Sequence, residues 1–122
     1  MNTALWEKAI EFHGHKCKGL ALGFRMGEEA KKIFGTSDEI ACILPGRNCI
    51  TDGITGSIGA SEENGRIRID SSVNKFVFYL PEEEEGWAFT YKNIDLPMEQ
   101  DPAEMVLKAG RDFLFTLEPW EL

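Results

Sequence analysis

The sequence predicts an α+β fold in a single domain that spans residues 1–122. Apolar residues recur at helical spacing over residues 3–34 and again after residue 101. Between these segments, short runs of residues alternate between apolar and polar as strands do. A chain of 122 residues is long enough to bury one hydrophobic core, and the sequence contains no internal repeat.

The first helical pattern starts at the N-terminus. Asn2 or Thr3 can cap this helix, which we expect to end near Phe12 because Gly14 interrupts the pattern. Its apolar face is formed by Leu5, Trp6, Ala9 and Ile10.

A second helix is predicted from Gly19 to Phe34, with Gly35 as its C-terminal stop. Its apolar residues fall on more than one side, which indicates a well-buried helix. Gly23 and Gly27 lie four residues apart and leave a smooth face. We therefore expect another element to pack closely against this face.

A short strand is predicted from Ile40 to Leu44, and the segment from Cys49 to about Ala60 carries two competing patterns. Glycines recur at every third residue, and each costs a helix about 1 kcal/mol relative to alanine. Isoleucines recur at every fourth residue and so share one helical face. The two sets are Gly53, Gly56 and Gly59, and Ile50, Ile54 and Ile58. We interpret the segment as a helix that packs on its glycine face.

Three strands are predicted next, at Arg66–Asp70, Lys75–Leu80 and Gly86–Tyr91. The last places Trp87, Phe89 and Tyr91 on one face. The hairpin loop before it contains four adjacent glutamates, Glu82–Glu85. A solvated loop is favoured over a cation site there, because carboxylates in water need no partner.

The last predicted element is a helix opened by Asp101 as the cap and Pro102 at its first position. Its apolar face runs from Met105 to Leu117.

Composition and charge exclude several classes of function. The formal net charge is −8 and neither Lys nor Arg forms a block, which argues against a nucleic-acid or anionic-membrane surface. No apolar run approaches the length of a membrane span. The N-terminus lacks the features of a signal peptide, so we expect a cytoplasmic protein. In such a reducing compartment the three cysteines are expected to be thiols or ligands, not disulfides.

The densest chemistry lies in residues 12–19. His13, His15 and Cys17 are alternate residues, so in an extended segment their side chains would point the same way. Imidazole and thiolate are ligands of zinc, and a closed structural site needs four of them. These residues therefore form half of a predicted site, and Cys49 is the best candidate to complete it.

Neighbouring residues can support this site. Cys17 precedes one predicted helix and Cys49 starts another, and a helix N-terminus is expected to lower the pKa of a thiol. Asp52, on the first turn after Cys49, can support a ligand, bind water or cap the helix. Arg25 and Arg47 are available to balance anionic ligands or to hold an acidic substrate.

Plainer interpretations exist for these residues. His13 can cap the first helix at its C-terminus, and His15 can point into solvent. Cys42, in the middle of a predicted strand, is best interpreted as core filler. Asp52 can be an ordinary carboxylate at a helix start.

Two blocks of the sequence resemble the family of E-type subunits of formylmethanofuran dehydrogenase. The first is residues 12–27, with His13, Gly14, His15, Cys17 and Gly19, and the second is residues 48–56, which contains a Cys-x-x-Asp pattern at its start. A weaker third match lies at residues 76–78. The resemblance covers residues 5–80.

The resemblance implies helices packed on a small antiparallel sheet, a homodimer, and a metal or redox centre at His15, Cys17 and Cys49, with His13 and Asp52 also matching. Lys18 and Ser57 depart from the family pattern, which often has proline and cysteine there. No cysteine follows Cys49, so the chain resembles a short member without the C-terminal zinc-finger extension.

The function implied is that of a zinc-binding protein accessory to a larger molybdenum or tungsten oxidoreductase or to one-carbon redox metabolism. The alternatives are a non-catalytic carrier of metal or sulfur, and a structural dimeric accessory protein. In this interpretation the metal is held by His13, His15, Cys17 and Cys49. Asp52 and Arg25 are predicted to be cofactor-binding residues beside these ligands.

Overall fold

The computed structural model describes residues 3–83, 85–92 and 101–121. Its elements, in chain order, are α1 (Thr3–His13), α2 (Lys18–Phe34), β1 (Ala41–Leu44), α3 (Cys49–Ile58), β2 (Ile67–Ile69), β3 (Phe76–Tyr79), β4 (Glu85–Tyr91), α4 (Pro102–Lys108), α5 (Arg111–Leu114) and β5 (Phe115–Glu121). Helices and a five-stranded sheet share one core, which confirms the predicted α+β class. None of the described helices is long and apolar enough to cross a membrane.

The sheet has the strand order β2-β1-β3-β4-β5. Three of its pairings are antiparallel, as expected, but β1 and β2 are parallel. The connection between them explains the difference, because α3 carries the chain back to the starting edge. A helical crossover of this kind leaves two neighbouring strands parallel, whereas a tight hairpin makes them antiparallel.

Alternation along the strands separates the two faces of the sheet. Phe78 and Phe89 are fully buried in the core shared with the helices, and their rings pack edge to face with centroids 5.1 Å apart. Val77 and Ala88 lie in a smaller cluster on the opposite face. The helices therefore cover one face of the sheet, and Trp87 and Phe89 share that face as predicted.

Glycines let α2 and α3 pack backbone to backbone. A Cβ atom built on Gly53 would lie 2.6 Å from the backbone nitrogen of Phe24 and closer still to the carbonyl oxygen of Leu20. A Cβ on Gly23 would overlap the carbonyl group of Ile50. The predictions of a smooth face on α2 and of a helix packed on its glycines at α3 are both confirmed.

Local signals account for the helix ends. Gly35 and Gly59 end α2 and α3 in the left-handed conformation, with φ of 73° and 75°. Asn48 caps α3, and its side chain accepts a hydrogen bond of 2.9 Å from the amide of Ile50. Asn2, the other predicted cap for α1, lies outside the described residues.

The predicted final helix is wrong beyond Lys108. Asp101 and Pro102 open α4 as expected, but the chain then forms the single turn α5 and the strand β5. The reason is tertiary: β5 pairs with β4 over its full length, and Leu117 lies opposite Phe89 on the helix-covered face. Apolar side chains at 115 and 117 are compatible with both a helical and a strand pattern. The segment forms a strand because it can pair with the edge of β4.

Glu82 and Glu83 in the hairpin loop, and Glu85 at the start of β4, are exposed, in keeping with the predicted solvated loop. Glu84 lies outside the described residues.

Candidate metal centre

Three helix ends meet at one place on the molecule. His13 is the last residue of α1, Cys17 is the N-cap of α2, and Cys49 is the first residue of α3. His15 lies in the connection between α1 and α2. The structure brings all four side chains together, with their ligand atoms within 4.8 Å of one another. We call these four residues the His/Cys cluster.

Gly19 makes this meeting possible, a role that was not predicted from the sequence although Gly19 belongs to the first block of the family resemblance. A Cβ atom on Gly19 would lie 2.8 Å from the Cβ of Cys49. Only glycine therefore lets the first turn of α2 approach the first turn of α3 this closely. Its place two residues after Cys17, at the end of that block's His/Cys motif, is the one signal that the sequence offers.

His13 is held from both sides. Its Nδ1 donates a hydrogen bond to the Asp52 carboxylate, with a distance of 2.6 Å between Nδ1 and Oδ2. Its Nε2 lies 3.7 Å from the sulfur of Cys17. Both ring nitrogens face these two partners, so a cap on the end of α1 is not the role of this side chain. A carboxylate hydrogen-bonded to Nδ1 fixes the orientation of the imidazole and leaves the lone pair of Nε2 free to bind a metal.

His15 has a different environment. Its side chain is exposed, and its ring contacts that of His13 with centroids 4.5 Å apart and planes at 38°. Gly14, with φ of 100°, turns the chain between the two histidines. His15 is thus exposed to solvent, as the plainer interpretation held, while its ligand atom lies within 4.8 Å of those of the other three residues.

The two thiols differ in their surroundings. The sulfur of Cys17 accepts a hydrogen bond of 3.4 Å from the amide of Leu20, in the first turn of α2. Hydrogen bonding with the Cys17 thiol, with burial as a second cause, raises the pKa of Cys49 above its ordinary value. The predicted lowering of the Cys49 pKa is therefore wrong for the metal-free protein. Two adjacent thiols cannot both ionise easily without a cation beside them.

The donor set is compatible with a divalent metal ion, and its spacing can be compared with that of a tetrahedral zinc site. Zn–S bonds of about 2.3 Å and Zn–N bonds of about 2.0–2.1 Å place tetrahedral ligands roughly 3.3–3.8 Å apart. The distance between His13 Nε2 and Cys17 Sγ is already 3.7 Å. Two thiolates would also neutralise a divalent charge, which removes the electrostatic conflict between Cys17 and Cys49.

Lys16 ties the loop of the cluster to α4. Its ammonium lies 2.5 Å from Oδ2 of Asp101, which also caps α4, and 3.4 Å from Oε1 of Glu104. The hydrogen bond to Asp101 raises the pKa of Lys16, and the same bond lowers the pKa of Asp101. This contact between distant parts of the chain had no signal in the sequence.

Comparison with known proteins shows which family the chain belongs to. The sequence model of a family described as "FmdE, Molybdenum formylmethanofuran dehydrogenase operon" matches residues 12–111. The chain belongs to the FmdE family. The resemblance seen in the sequence is thereby confirmed, and the match reaches past residue 80 to include α4.

One relative of this FmdE-family chain is an Archaeoglobus fulgidus protein named "Probable S-adenosyl-L-methionine-binding protein". The two are 34% identical over 73 residues, which cover 53% of this chain and 20% of the relative. The FmdE-family chain thus spans about a fifth of the length of this relative.

Arg25 of the FmdE-family chain has its partners away from the cluster. Its buried guanidinium donates to the carbonyl oxygens of Val106, Leu107 and Ala109 at the end of α4, at 2.8, 3.1 and 2.6 Å. It also lies 3.4 Å from the Glu29 carboxylate. Arg25 therefore joins α2 to α4. The structure gives no contact between Arg25 and the cluster, and the sequence-based role in holding an anion stays a prediction.

Arg25→Met is expected to lower the free energy of unfolding by about 2 kcal/mol, the scale of hydrogen bonds to a charged group. Methionine keeps the apolar stem but leaves the end of α4 without its donors. Urea denaturation measures the change. Arg47→Met is the matched control, because it breaks an exposed pair with Glu62 and should cost less than about 1 kcal/mol. Equal stability of the two variants would contradict the structural role of Arg25.

Cys42 is not a member of the His/Cys cluster. Cys42 is 1% exposed in β1, where burial raises the pKa of its thiol. The interpretation of Cys42 as core filler is confirmed, and this cysteine offers a natural control for experiments on the other two.

Proposed function

We propose that this FmdE-family protein binds one zinc ion through His13, His15, Cys17 and Cys49. The observation that carries the proposal is the meeting of two imidazoles and two thiols within 4.8 Å at three helix ends. Among the common divalent metals, zinc is the one that a set of imidazole and thiolate ligands favours.

The protein's own groups prepare this site. Asp52 accepts a hydrogen bond from Nδ1 of His13, and the amide of Leu20 donates one to the sulfur of Cys17. The N-termini of α2 and α3 direct their partial positive charges toward the two sulfurs. A zinc ion held there would supply a Lewis acid when one coordination position is open.

The wider role that we propose is accessory. The family description refers to the operon of a molybdenum formylmethanofuran dehydrogenase, which supports a place beside a molybdenum or tungsten oxidoreductase or in one-carbon redox metabolism. A carrier of metal or sulfur is the alternative. The partly exposed thiols favour it, since a carrier must pass its cargo on.

Metal analysis of protein purified without an affinity tag tests the zinc proposal. We expect about one zinc ion per chain, as for a single closed site, in the wild type and in Cys42→Ala. Cys17→Ser and Cys49→Ser are expected to lose most of it, because each removes a thiolate ligand. A stoichiometry near zero in the wild type, or one unchanged by Cys17→Ser, would overturn the proposal.

Asp52→Asn is expected to weaken zinc affinity by about 10- to 100-fold, the usual cost of losing a carboxylate behind a ligating histidine. The amide cannot hold the Nδ1 proton as a carboxylate does, so His13 loses its orientation. Competition with a chromogenic chelator measures the affinity. Asp112→Asn makes the same change of charge at a carboxylate that is 94% exposed, and should leave the affinity unchanged. An unaltered affinity in Asp52→Asn would remove Asp52 from the site.

A further inference from the structure

The four residues of the cluster are not equally supported. His13 is backed by Asp52, Cys17 by the amide of Leu20, and Cys49 by its place on α3 against Gly19. The His15 side chain forms no hydrogen bond or ion pair with any of the described residues. Its ring contacts only that of His13 among the described aromatic rings, in a tilted arrangement. The more exposed of the two histidines is thus also the one with fewer interactions that fix its side chain.

The backbone beside His15 is open as well. A Cβ atom added at Gly14 would meet nothing within 4 Å, so the turn that leads into His15 is surrounded by free space. Beyond it, Lys16 is tied to Asp101 and Glu104. The loop is therefore anchored on both sides while the His15 side chain is free to change rotamer, which exposed residues do within nanoseconds.

We propose that His15 is the exchangeable ligand of this site, and that a small thiol from solution takes its place. The inference rests on the proposed zinc function. The exchange needs no oxidant: the thiol would release its proton to solvent, and its sulfur would replace the imidazole nitrogen of His15 as the donor. The other three ligands stay in place because each has its own support.

The surroundings favour a thiol over a harder donor. A site with two cysteine ligands is soft, and soft metals select further sulfur ligands over carboxylates. A third thiolate adds a negative charge, and Lys18 follows Cys17 at the start of α2. Lys18 forms no ion pair within the part of the chain that the structure describes, so its charge is available to offset the incoming thiolate.

Cobalt substitution tests the exchange. The wild type, His15→Ala and His13→Ala are loaded with cobalt(II) and titrated with 2-mercaptoethanol, while visible and near-ultraviolet absorption report coordination and new sulfur-to-cobalt bonds. We expect His15→Ala to keep cobalt, with an affinity at least about tenfold higher than that of His13→Ala, which has lost a ligand with carboxylate support. The thiol should then saturate His15→Ala at a concentration about tenfold below that for the wild type, since no imidazole competes.

Failure of the proposed metal binding and failure of the ligand exchange give different results. If the wild type takes up no cobalt and no zinc, the proposed function itself is overturned. If the wild type binds cobalt but His15→Ala loses it as fully as His13→Ala does, His15 is a fixed ligand and the exchange is wrong. The exchange is equally wrong if the thiol strips cobalt without forming a new sulfur-to-cobalt band. Since His15 is exposed, the metal-free melting temperature of His15→Ala should match the wild type, which checks that the variant is folded.

Discussion

Zinc is expected to stabilise the metal-free protein by about 4 kcal/mol when free zinc is a thousand times its dissociation constant. The ligands come from the end of α1, the following loop and the starts of α2 and α3. Unfolding separates these segments, so zinc binds the folded chain far better than the unfolded one. Guanidinium denaturation with and without zinc measures the difference in the free energy of unfolding.

Cys49→Ser supplies the control for this stabilisation, because it keeps the fold and removes one ligand. Zinc should then raise stability only slightly, while Cys42→Ala should respond as the wild type does. A wild-type protein that binds zinc without becoming more stable would contradict the expectation. That result would mean that zinc binds the unfolded chain as tightly as the folded one.

The effect of zinc should also depend on pH. In the metal-free protein the neighbouring Cys17 thiol raises the pKa of Cys49, so Cys49 keeps its proton at neutral pH and zinc has to displace it. Zinc affinity is therefore expected to fall by up to about tenfold for each pH unit and each proton displaced as the pH drops. The metal-free protein behaves in the opposite way. A thiol with a raised pKa stabilises the fold below its unfolded pKa, and this contribution is lost as the pH rises through the folded pKa. Zinc should thus stabilise most at mildly alkaline pH, and a constant effect from pH 6 to 9 would contradict proton displacement.

Gly53→Ala is expected to lower the free energy of unfolding by about 3 kcal/mol, the upper part of the usual range for overpacking. The new methyl group would meet the backbone of Leu20 and Phe24, and neither can move aside as a side chain does. The helices would have to separate, and their N-termini carry Cys17 and Cys49. We therefore expect zinc affinity to fall together with stability. Urea denaturation and chelator competition measure the two effects.

Gly46→Ala is the matched control for Gly53→Ala. A Cβ atom on Gly46 would meet nothing within 4 Å, and its φ does not lie in the left-handed region. The free energy of unfolding should change by less than about 0.5 kcal/mol, as at most open surface positions. If Gly53→Ala proved as stable as Gly46→Ala, close packing of α2 on α3 would be wrong.

Local elements were largely predictable because their signals lie within a few residues. The glycine and isoleucine spacings of α3 both correspond to real faces of that helix. By contrast, the segment from Phe115 to Glu121 is locally compatible with either helix or strand, and only the free edge of β4 makes it a strand. The parallel pairing of β1 with β2 likewise depends on where α3 returns the chain.

The candidate site divides in the same way. The spacing of His13, His15 and Cys17 predicted half of it, although the extended segment on which that prediction relied is wrong. His13 ends α1, and Gly14, with φ of 100°, turns the chain after it. The place of Cys49 beside them, the bond from His13 to Asp52 and the engagement of Arg25 by α4 join residues far apart in the chain.

By itself, then, the sequence determined the family, the α+β class, the caps Gly35 and Asp101, and the donor types available to a metal. Tertiary structure alone decided the last strand, the contact that Gly19 permits and the unequal support of the two histidines. The physical reason is range. Caps and periodicities act over one or two turns, whereas the position of a ligand depends on the backbone contact between α2 and α3. Two glycine-bearing helices must meet before Cys17 and Cys49 can share one site.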